Sequence, residues 1–195
     1  CGVIDERFLQ ACRNLKNFAP QFHLSLQSGS DSVLRAMNRR YTRAQYLEKC
    51  ALIYKYFPEA AITTDIIAGF AGETEEDFTD SLSIIEEARF ARVHAFAFSP
   101  REGTAAYKMK DVPPEIKSAR LHRLLEAGEV AAAKFVEKNI GSVQNVIFED
   151  MEEDCTAGYT GSYIKVYCAG DLRGKICNVR LVKPFKDGAF GEVIF

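Results

Sequence analysis

The stretch Ile62-Thr63-Thr64-Asp65-Ile66-Ile67-Ala68-Gly69-Phe70-Ala71-Gly72-Glu73-Thr74-Glu75-Glu76-Asp77-Phe78 decides how the chain is read. Its first half is a near-continuous apolar, β-branched run, which predicts a strand covered on both faces and therefore a parallel sheet. Gly69 and Gly72 then let the backbone turn sharply and approach another group closely. Thr74, three residues before Asp77 and just ahead of an apolar-periodic segment, predicts a helix N-cap. In α/β folds a strand, glycine turn and helix in this order meet at the carboxyl end of the sheet, where ligands bind.

The same unit recurs on both sides. Upstream, residues 5–18 carry apolar side chains at helical spacing and stop at Pro20; a strand follows at 22–27, then the polar turn Ser28-Gly29-Ser30-Asp31-Ser32 and a helix carrying Val33, Leu34 and Met37. Thr42 caps a further helix with Tyr46, Leu47, Cys50 and Ile53 on its apolar face. Downstream, a third strand at 92–98 ends in Ser99-Pro100-Arg101-Glu102-Gly103-Thr104. Three consecutive units argue for parallel βα architecture, either an open sheet or part of a barrel, because an eight-stranded barrel needs about 250 residues. Pro113-Pro114 opens a long helix over 115–138. From residue 140 short alternating runs at 143–148, 163–167, 175–182 and 191–195, separated by glycines, predict a small antiparallel barrel or sandwich. The domain boundary is placed near 140, giving an α/β unit over 1–139 and an all-β unit over 140–195.

The 195 residues are 47% hydrophobic and 27% charged, with a net charge of −2, which is ordinary for a globular protein and advertises no nucleic-acid partner by its total. No apolar run approaches the roughly 20 residues that cross a bilayer, so no membrane partner is expected. The six cysteines show neither CxxC nor CxxxCxxC spacing, so no metal ligand set is read from them; they are expected to be mostly buried and reduced, and the chain cytoplasmic. The chain begins Cys1-Gly2-Val3 without an initiator Met and looks cut from something longer.

The three strand ends bring Gln27, Ser28 and Gly29, then Thr64, Asp65 and Gly69, then Ser99, Arg101 and Thr104 to one edge of the sheet. Hydroxyls, an amide, a carboxylate and glycine backbone suit a polar small molecule with a ribose and a charged group. No nucleophile–base pair is present and no catalytic residue is assigned. His23 and His94 are expected at the opposite ends of their strands, as packing or surface groups. Glu73, Glu75, Glu76 and Asp77 read as the first turn of a helix, where negative charge meets the helix dipole. Arg35, Arg39, Arg40 and Arg43 read as a solvated helix face.

Taken in order, the residues from His23 to Asp31 with Met37, Arg39, Tyr41 and Thr42, then those from Thr64 to Phe78, then those from Phe98 to Ala106 resemble the methylthiotransferase family of radical SAM enzymes over roughly the whole chain. The resemblance implies the carboxyl-terminal half of a radical SAM partial (β/α) barrel, followed by a TRAM domain, a small all-β barrel that binds RNA. It implies S-adenosyl-L-methionine (SAM) and two 4Fe-4S clusters as cofactors and tRNA as partner. The intact enzyme would insert a methylthio group at carbon 2 of the modified adenosine at position 37. The stretch from Gly158 to Val166 resembles most closely the threonylcarbamoyladenosine subfamily. A ribosomal-protein methylthiotransferase and a non-catalytic RNA-binding module are the rival readings.

Carried onto this chain, the resemblance puts Gln27, Ser28 and Ser30 near the amino-acid or ribose end of SAM, with Asp65 among the cofactor-binding residues. It puts Ile67 and Gly69 against the adenine, and Ser99 and Arg101 at the mouth. Tyr159, Tyr163, Lys165, Arg173 and Lys175 combine aromatic faces with cations that suit RNA. The family's CxxxCxxC cluster motif is absent from this chain, so the isolated chain is expected to be inactive. Ser25 and Ala71 stand where many members have Pro. From 140 to 195 six Lys and Arg face eight Asp and Glu, net −2, so any RNA face must be one-sided. A first strand with an exposed edge predicts self-association.

Overall fold

The apolar run becomes β2, Ala61–Ala68, the middle of a three-stranded parallel sheet in a computed structural model that describes residues 2–194. β1, Gln21–His23, and β3, Arg92–Ala97, flank it, with His23 opposite Thr63 and Asp65 opposite His94. Among the described residues five α-helices, α1 Glu6–Arg13, α2 Asp31–Ala36, α3 Arg43–Tyr56, α4 Glu75–Glu87 and α5 Pro114–Asn139, and a short 3-10 turn at Ala105–Lys108 complete this half. Side chains of β2 alternate. Ile62, Ile66 and Ala68 join Tyr46, Cys50 and Ile53 of α3, Phe78, Ile84 and Ile85 of α4 and Leu124 of α5 in one core. Asp65 and Ile67 point the other way and are only half-buried. The expectation of full cover on both faces is corrected: helices cover one face, and on the other Asp65 and Ile67 border an open groove.

The first strand is also shorter than expected, three regular residues instead of six. The ladder is interrupted between Leu24 and Gln27; Gln27, with a φ of 73°, rejoins β2 through an isolated bridge to Ile66, its N–H on the Asp65 carbonyl at 2.8 Å. Side chains replace the missing bonds. Thr64 Oγ1 donates to the Leu24 carbonyl at 2.7 Å and accepts from Leu26 N–H at 3.0 Å, while Tyr46 Oη donates to Leu24 O at 2.7 Å and Tyr41 Oη to Leu26 O at 2.9 Å. The self-association argued from a long exposed edge loses its premise, since short edge strands are one way proteins avoid edge pairing.

Helix starts follow the sequence. Thr42 and Thr74 form capping boxes with Gln45 and Asp77, and Pro114 opens α5. α5 packs on the sheet and carries Phe135 and Val136, with Ile140 just past its end, into a second core. There β4 Val143–Glu152, β5 Cys155–Thr160, β6 Lys165–Ala169, β7 Ile176–Phe185 and β8 Gly188–Val193 close a barrel in the order β4-β5-β6-β8-β7. The β6–β8 pair is parallel and the others are antiparallel. β5 was not expected, because Gly158 reads as a turn residue; it lies mid-strand where a Cβ would stand 2.2 Å from the Ile147 carbonyl oxygen. Among the described residues Cys12, Cys50 and Cys168 are buried and Cys155 and Cys177 half-buried, all unbridged. Cys1 and Phe195 lie outside the described residues. No helix among these residues is long and apolar enough to cross a membrane.

The turn after β1 packs directly on α4. Arg43, expected on a solvated face, reaches across both: Nη1 donates to Asp80 O at 2.7 Å and Gly29 O at 3.2 Å, and Nη2 to Glu87 at 2.6 Å. A Cβ on Gly29 would lie 2.4 Å from the Asp80 carbonyl oxygen. Gly29→Ala is expected to lower stability by about 1–3 kcal/mol through overpacking, read as a reduced urea midpoint; an unchanged midpoint would show that the turn relaxes freely.

Candidate functional site

At the carboxyl ends of the strands lies an open groove of about 810 Å³. Gln27, Asp65, Ile67, Ser99 and Arg101 all line it, so five of the eight residues expected around a cofactor come together. Apolar surface comes from Met37, Phe70, Phe96 and Phe98, with the Phe70 and Phe98 rings edge-on at 4.8 Å. Rings with a small number of fixed polar groups suit a nucleoside-bearing ligand.

Ser28, Ser30 and Gly69 do not line the groove. The Ser28 hydroxyl is fully buried against Ser81 Oγ at 3.3 Å and accepts from Ser30 N–H at 3.2 Å. Ser30 caps α2 and donates to Asp77 Oδ1 at 2.6 Å. These hydroxyls build the turn. Their short spacing to the backbone lets them satisfy local donors first, and residue type alone did not reveal that. Gly69, at φ 71°, is covered by the Lys117 stem, which a Cβ would meet at 2.5 Å.

α5 clasps the turn after β2. Glu73, read as part of an exposed first turn, is buried; its Oε2 accepts from Gly69 N–H at 2.8 Å and from Arg120 Nη1 at 2.8 Å. Burial pushes the Glu73 carboxyl up, opposed by the Gly69 N–H and the Arg120 charge. Arg120 also reaches the Glu73 carbonyl at 3.1 Å and Glu75 at 3.2 Å. Lys117 Nζ donates to Asp111 at 2.7 Å and to the Phe98 carbonyl at 3.3 Å, tying the ends of β2 and β3 to one helix. Sequence reasoning missed Arg120 because it sits 47 residues downstream of Glu73.

On the concave face His23 is not at the far end of the sheet. Because β1 is short, its ring reaches Asp65: Nε2 lies 3.1 Å from Oδ2, while Ser25 Oγ donates to the same oxygen at 2.7 Å. Burial alone would raise the Asp65 pKa, but the bonds from Ser25 and His23 and the nearby His94 ring outweigh it and hold it below the usual aspartate range. The His23 and His94 rings lie 6.1 Å apart.

On the barrel, Tyr159 and Tyr163 stack at 5.0 Å, and the ladder sets Ile147 beside Tyr159 on one side and Ile176 on the other. Ile147 and Ile176 are exposed, so the aromatic pair continues into an apolar row that the sequence reading missed. Lys175 adjoins Ile176 and stays exposed. Arg173 is held in a fork by Asp171 at 3.0 and 2.7 Å. Lys165 is largely buried and paired, at 2.7 Å from Glu152 and 3.8 Å from Asp187; the Glu152 bond, with Tyr167 and Asp187, pushes its pKa up. It is a barrel strut.

The groove fits the adenosyl portion of SAM in its mix of rings, amide, carboxylate and guanidinium. The described residues nowhere gather three Cys, His, Asp or Glu side chains that could hold a metal ion.

A model of the radical SAM superfamily matches residues 1–85. A tRNA-2-methylthio-N(6)-dimethylallyladenosine synthase of Aliarcobacter butzleri is 36% identical over 98% of this chain and 45% of its own length. The protein of that name in Symbiobacterium thermophilum is 44% identical, over 89% of this chain and 38% of its own. The threonylcarbamoyladenosine tRNA methylthiotransferase MtaB of Bacillus subtilis is 36% identical over 88% and 41%. The chain belongs to the methylthiotransferase family of radical SAM proteins. It spans less than half the length of these curated relatives. Coproporphyrinogen III oxidase (HemN) of Escherichia coli, a radical SAM enzyme, shares the fold at a TM-score of 0.55 and 15% identity, over 82% of this chain and 44% of that one. Within this family, the strand-end groove lies where α/β folds place ligands.

Two outcomes follow from the clasp and the turn. Arg120→Met leaves Glu73 buried without its cation and is expected to lower stability by about 3–5 kcal/mol, measured by denaturant unfolding; a loss below about 1 kcal/mol would mean the pair is not desolvated. For Asp77, burial acts to raise the pKa, yet bonds from Ser30, Ser32 and Thr74 win and lower it from 3.8 to about 2. A folded-state pKa below the unfolded one stabilises above the unfolded value and is lost as pH falls through the folded one. The stability gap between the parent chain and Asp77→Asn should therefore narrow as pH drops from 3.8 to about 2; a gap constant over that window would refute the assignment.

Proposed function

We propose that this chain forms the SAM wall and the RNA-binding barrel of a tRNA methylthiotransferase that modifies carbon 2 of threonylcarbamoyladenosine at position 37. The observation that carries the reading is the groove at the three strand ends, which joins Gln27, Asp65, Ile67, Ser99 and Arg101 in a chain whose relatives carry tRNA methylthiotransferase names.

In the intact enzyme SAM with its cluster would supply the radical that removes the C2 hydrogen. The cluster ligands would come from outside this chain, which is therefore inactive alone. What these residues do is bind and orient. Ile67, Phe96 and Phe98 offer apolar surface for the adenine, Gln27 and Asp65 take ribose or amino-acid groups, and closure of the groove excludes water, which strengthens every polar contact inside. Asp65 is kept ionised and aimed by Ser25 and His23. The barrel plays the part of a TRAM domain: Tyr159, Tyr163, Ile147 and Ile176 present a stacking row for unpaired bases, with Lys175 and Arg173 near it for phosphates. A tRNA-modifying enzyme of this kind works in the cytoplasm.

The stretch from Gly158 to Val166 supports threonylcarbamoyladenosine. A second reading, dimethylallyladenosine, is favoured by the names of the Aliarcobacter and Symbiobacterium relatives. Mass spectrometry of tRNA nucleosides from a strain lacking the parent gene separates them. Loss of the methylthio form of threonylcarbamoyladenosine, with build-up of its precursor, is expected; loss of the dimethylallyl form instead would move the substrate, and loss of neither would sink the reading.

A further inference from the structure

α5 ends against the barrel. Val136 joins the second core, and Asn139, the last residue of the helix, is buried. A buried amide needs hydrogen-bond partners. Asn139 Nδ2 donates to the Phe135 carbonyl at 2.8 Å, and its Oδ1 accepts from Gln144 Nε2 of β4 at 3.0 Å. Gln144 Oε1 then accepts from Ser162 Oγ at 3.3 Å, and the Thr160 and Ser162 hydroxyls lie 3.1 Å apart. Because an amide oxygen can only accept, Ser162 donates to it and Thr160 donates to Ser162. Thr160 Oγ1 in turn accepts from Ile164 N–H at 3.0 Å. One directed chain of hydrogen bonds therefore runs from the helix end to the turn between β5 and β6.

That turn carries a residue under strain. Tyr163 has a φ of 66°, a left-handed conformation that is costly for a bulky side chain and persists only where the surroundings over-determine it. Here they do. Tyr163 N–H donates to the Thr160 carbonyl at 2.9 Å, Thr160 N–H donates to the Ile164 carbonyl at 3.0 Å, and the residues on either side, Ser162 and Ile164, are buried. The Tyr163 side chain itself is 61% exposed and its ring stacks on Tyr159 at 5.0 Å. A buried polar chain thus holds an exposed ring at a position where glycine would relieve the strain.

The turn is also seated on the other half of the molecule. Gly161 lies against Ala19 and Pro20, which lead into β1; a Cβ there would stand 3.7 Å from Pro20 Cδ. On its other side the chain through Gln144 ends at Asn139 of α5, the helix that fixes the groove turns through Lys117 and Arg120. Tyr163 is therefore placed relative to the sheet as well as to the barrel.

We infer that Asn139, Gln144 and Ser162 are positioning residues that act through Tyr163, holding the tyrosine pair in its stacking geometry before RNA arrives and in a fixed place relative to the groove. A face ordered in advance spares RNA binding the cost of ordering it. The inference rests on the reading of the barrel as an RNA-binding domain and adds the buried residues that set its face.

The test uses the full-length protein carrying this chain, with its clusters loaded, and an anticodon stem-loop with adenosine at position 37, its affinity read by fluorescence anisotropy. Tyr163→Ala is expected to weaken binding roughly 10-fold through the lost stacking. Ser162→Ala, and Gln144→Ala as a second break in the same chain, should each weaken it about 3–10-fold, the loss for one side chain that must be ordered on binding. Added to Tyr163→Ala, neither should weaken it further, because residues that act through one ring are non-additive. SAM affinity, read by calorimetry, should stay at the parent value, and circular dichroism at the assay temperature checks that each variant is folded. Additive losses would assign the chain to general barrel packing, and parent affinity in both single variants would make it idle; either overturns the inference. A parallel loss of SAM affinity would overturn it too, as damage to the whole fold. Parent affinity in Tyr163→Ala would instead take down the RNA-stacking reading beneath it.

Discussion

The structure of the strand-end groove depends on one buried ion pair. Glu73 accepts from the Gly69 amide and from Arg120 with the same oxygen, so a carboxylate inside the protein locks a turn that glycine alone would leave loose. A buried pair gains little over an apolar replacement of equal volume, yet breaking it is costly. Its value lies in position. Arg120 and Lys117 belong to α5, and through them one helix fixes the turn after β2 and, at the Phe98 carbonyl, the end of β3. The walls of the groove are therefore referred to one rigid element. α5 then continues into the second core, so it is also a mechanical link between groove and barrel.

The concave face follows from the same sheet. Alternation along β2 sends Ile62, Ile66 and Ala68 into the helical core and leaves Asp65 and Ile67 for the groove. Asp65 is placed by its neighbours. Ser25, in a position where many family members have Pro, supplies a hydroxyl that a proline could not, and His23 supplies a second contact.

In the barrel, charge is arranged by pairing. A domain with net charge −2 between residues 140 and 195 presents an exposed row from Tyr163 through Tyr159 and Ile147 to Ile176 because these residues meet across three strands. Stacking surface needs no excess of positive charge. Lys165, which looks like a cation for RNA in the sequence, is instead held between Glu152 and Asp187.

What the sequence by itself determined is local and periodic. The buried strand at 62–68, the N-caps at Thr42 and Thr74, the proline start of α5 and the convergence of three strand ends all rest on side-chain type and short spacing, which act within a few residues. Four groove residues, Gln27, Asp65, Ser99 and Arg101, were legible because a strand end points at the ligand edge in any parallel sheet, and Ile67 came from the family resemblance. Tertiary structure decided the rest. Ser28 and Ser30 were claimed by Ser81 and Asp77 of α4, Glu73 by Arg120, and Lys165 by barrel carboxylates, each a partner distant in sequence that no local pattern announces. β1 was cut short where Thr64 Oγ1 takes the Leu26 N–H in place of a backbone carbonyl, and Gly158 was drawn into a strand because a neighbouring backbone comes too close for any side chain. Pairings of this kind are set by which elements meet in space, and that is a property of the folded chain.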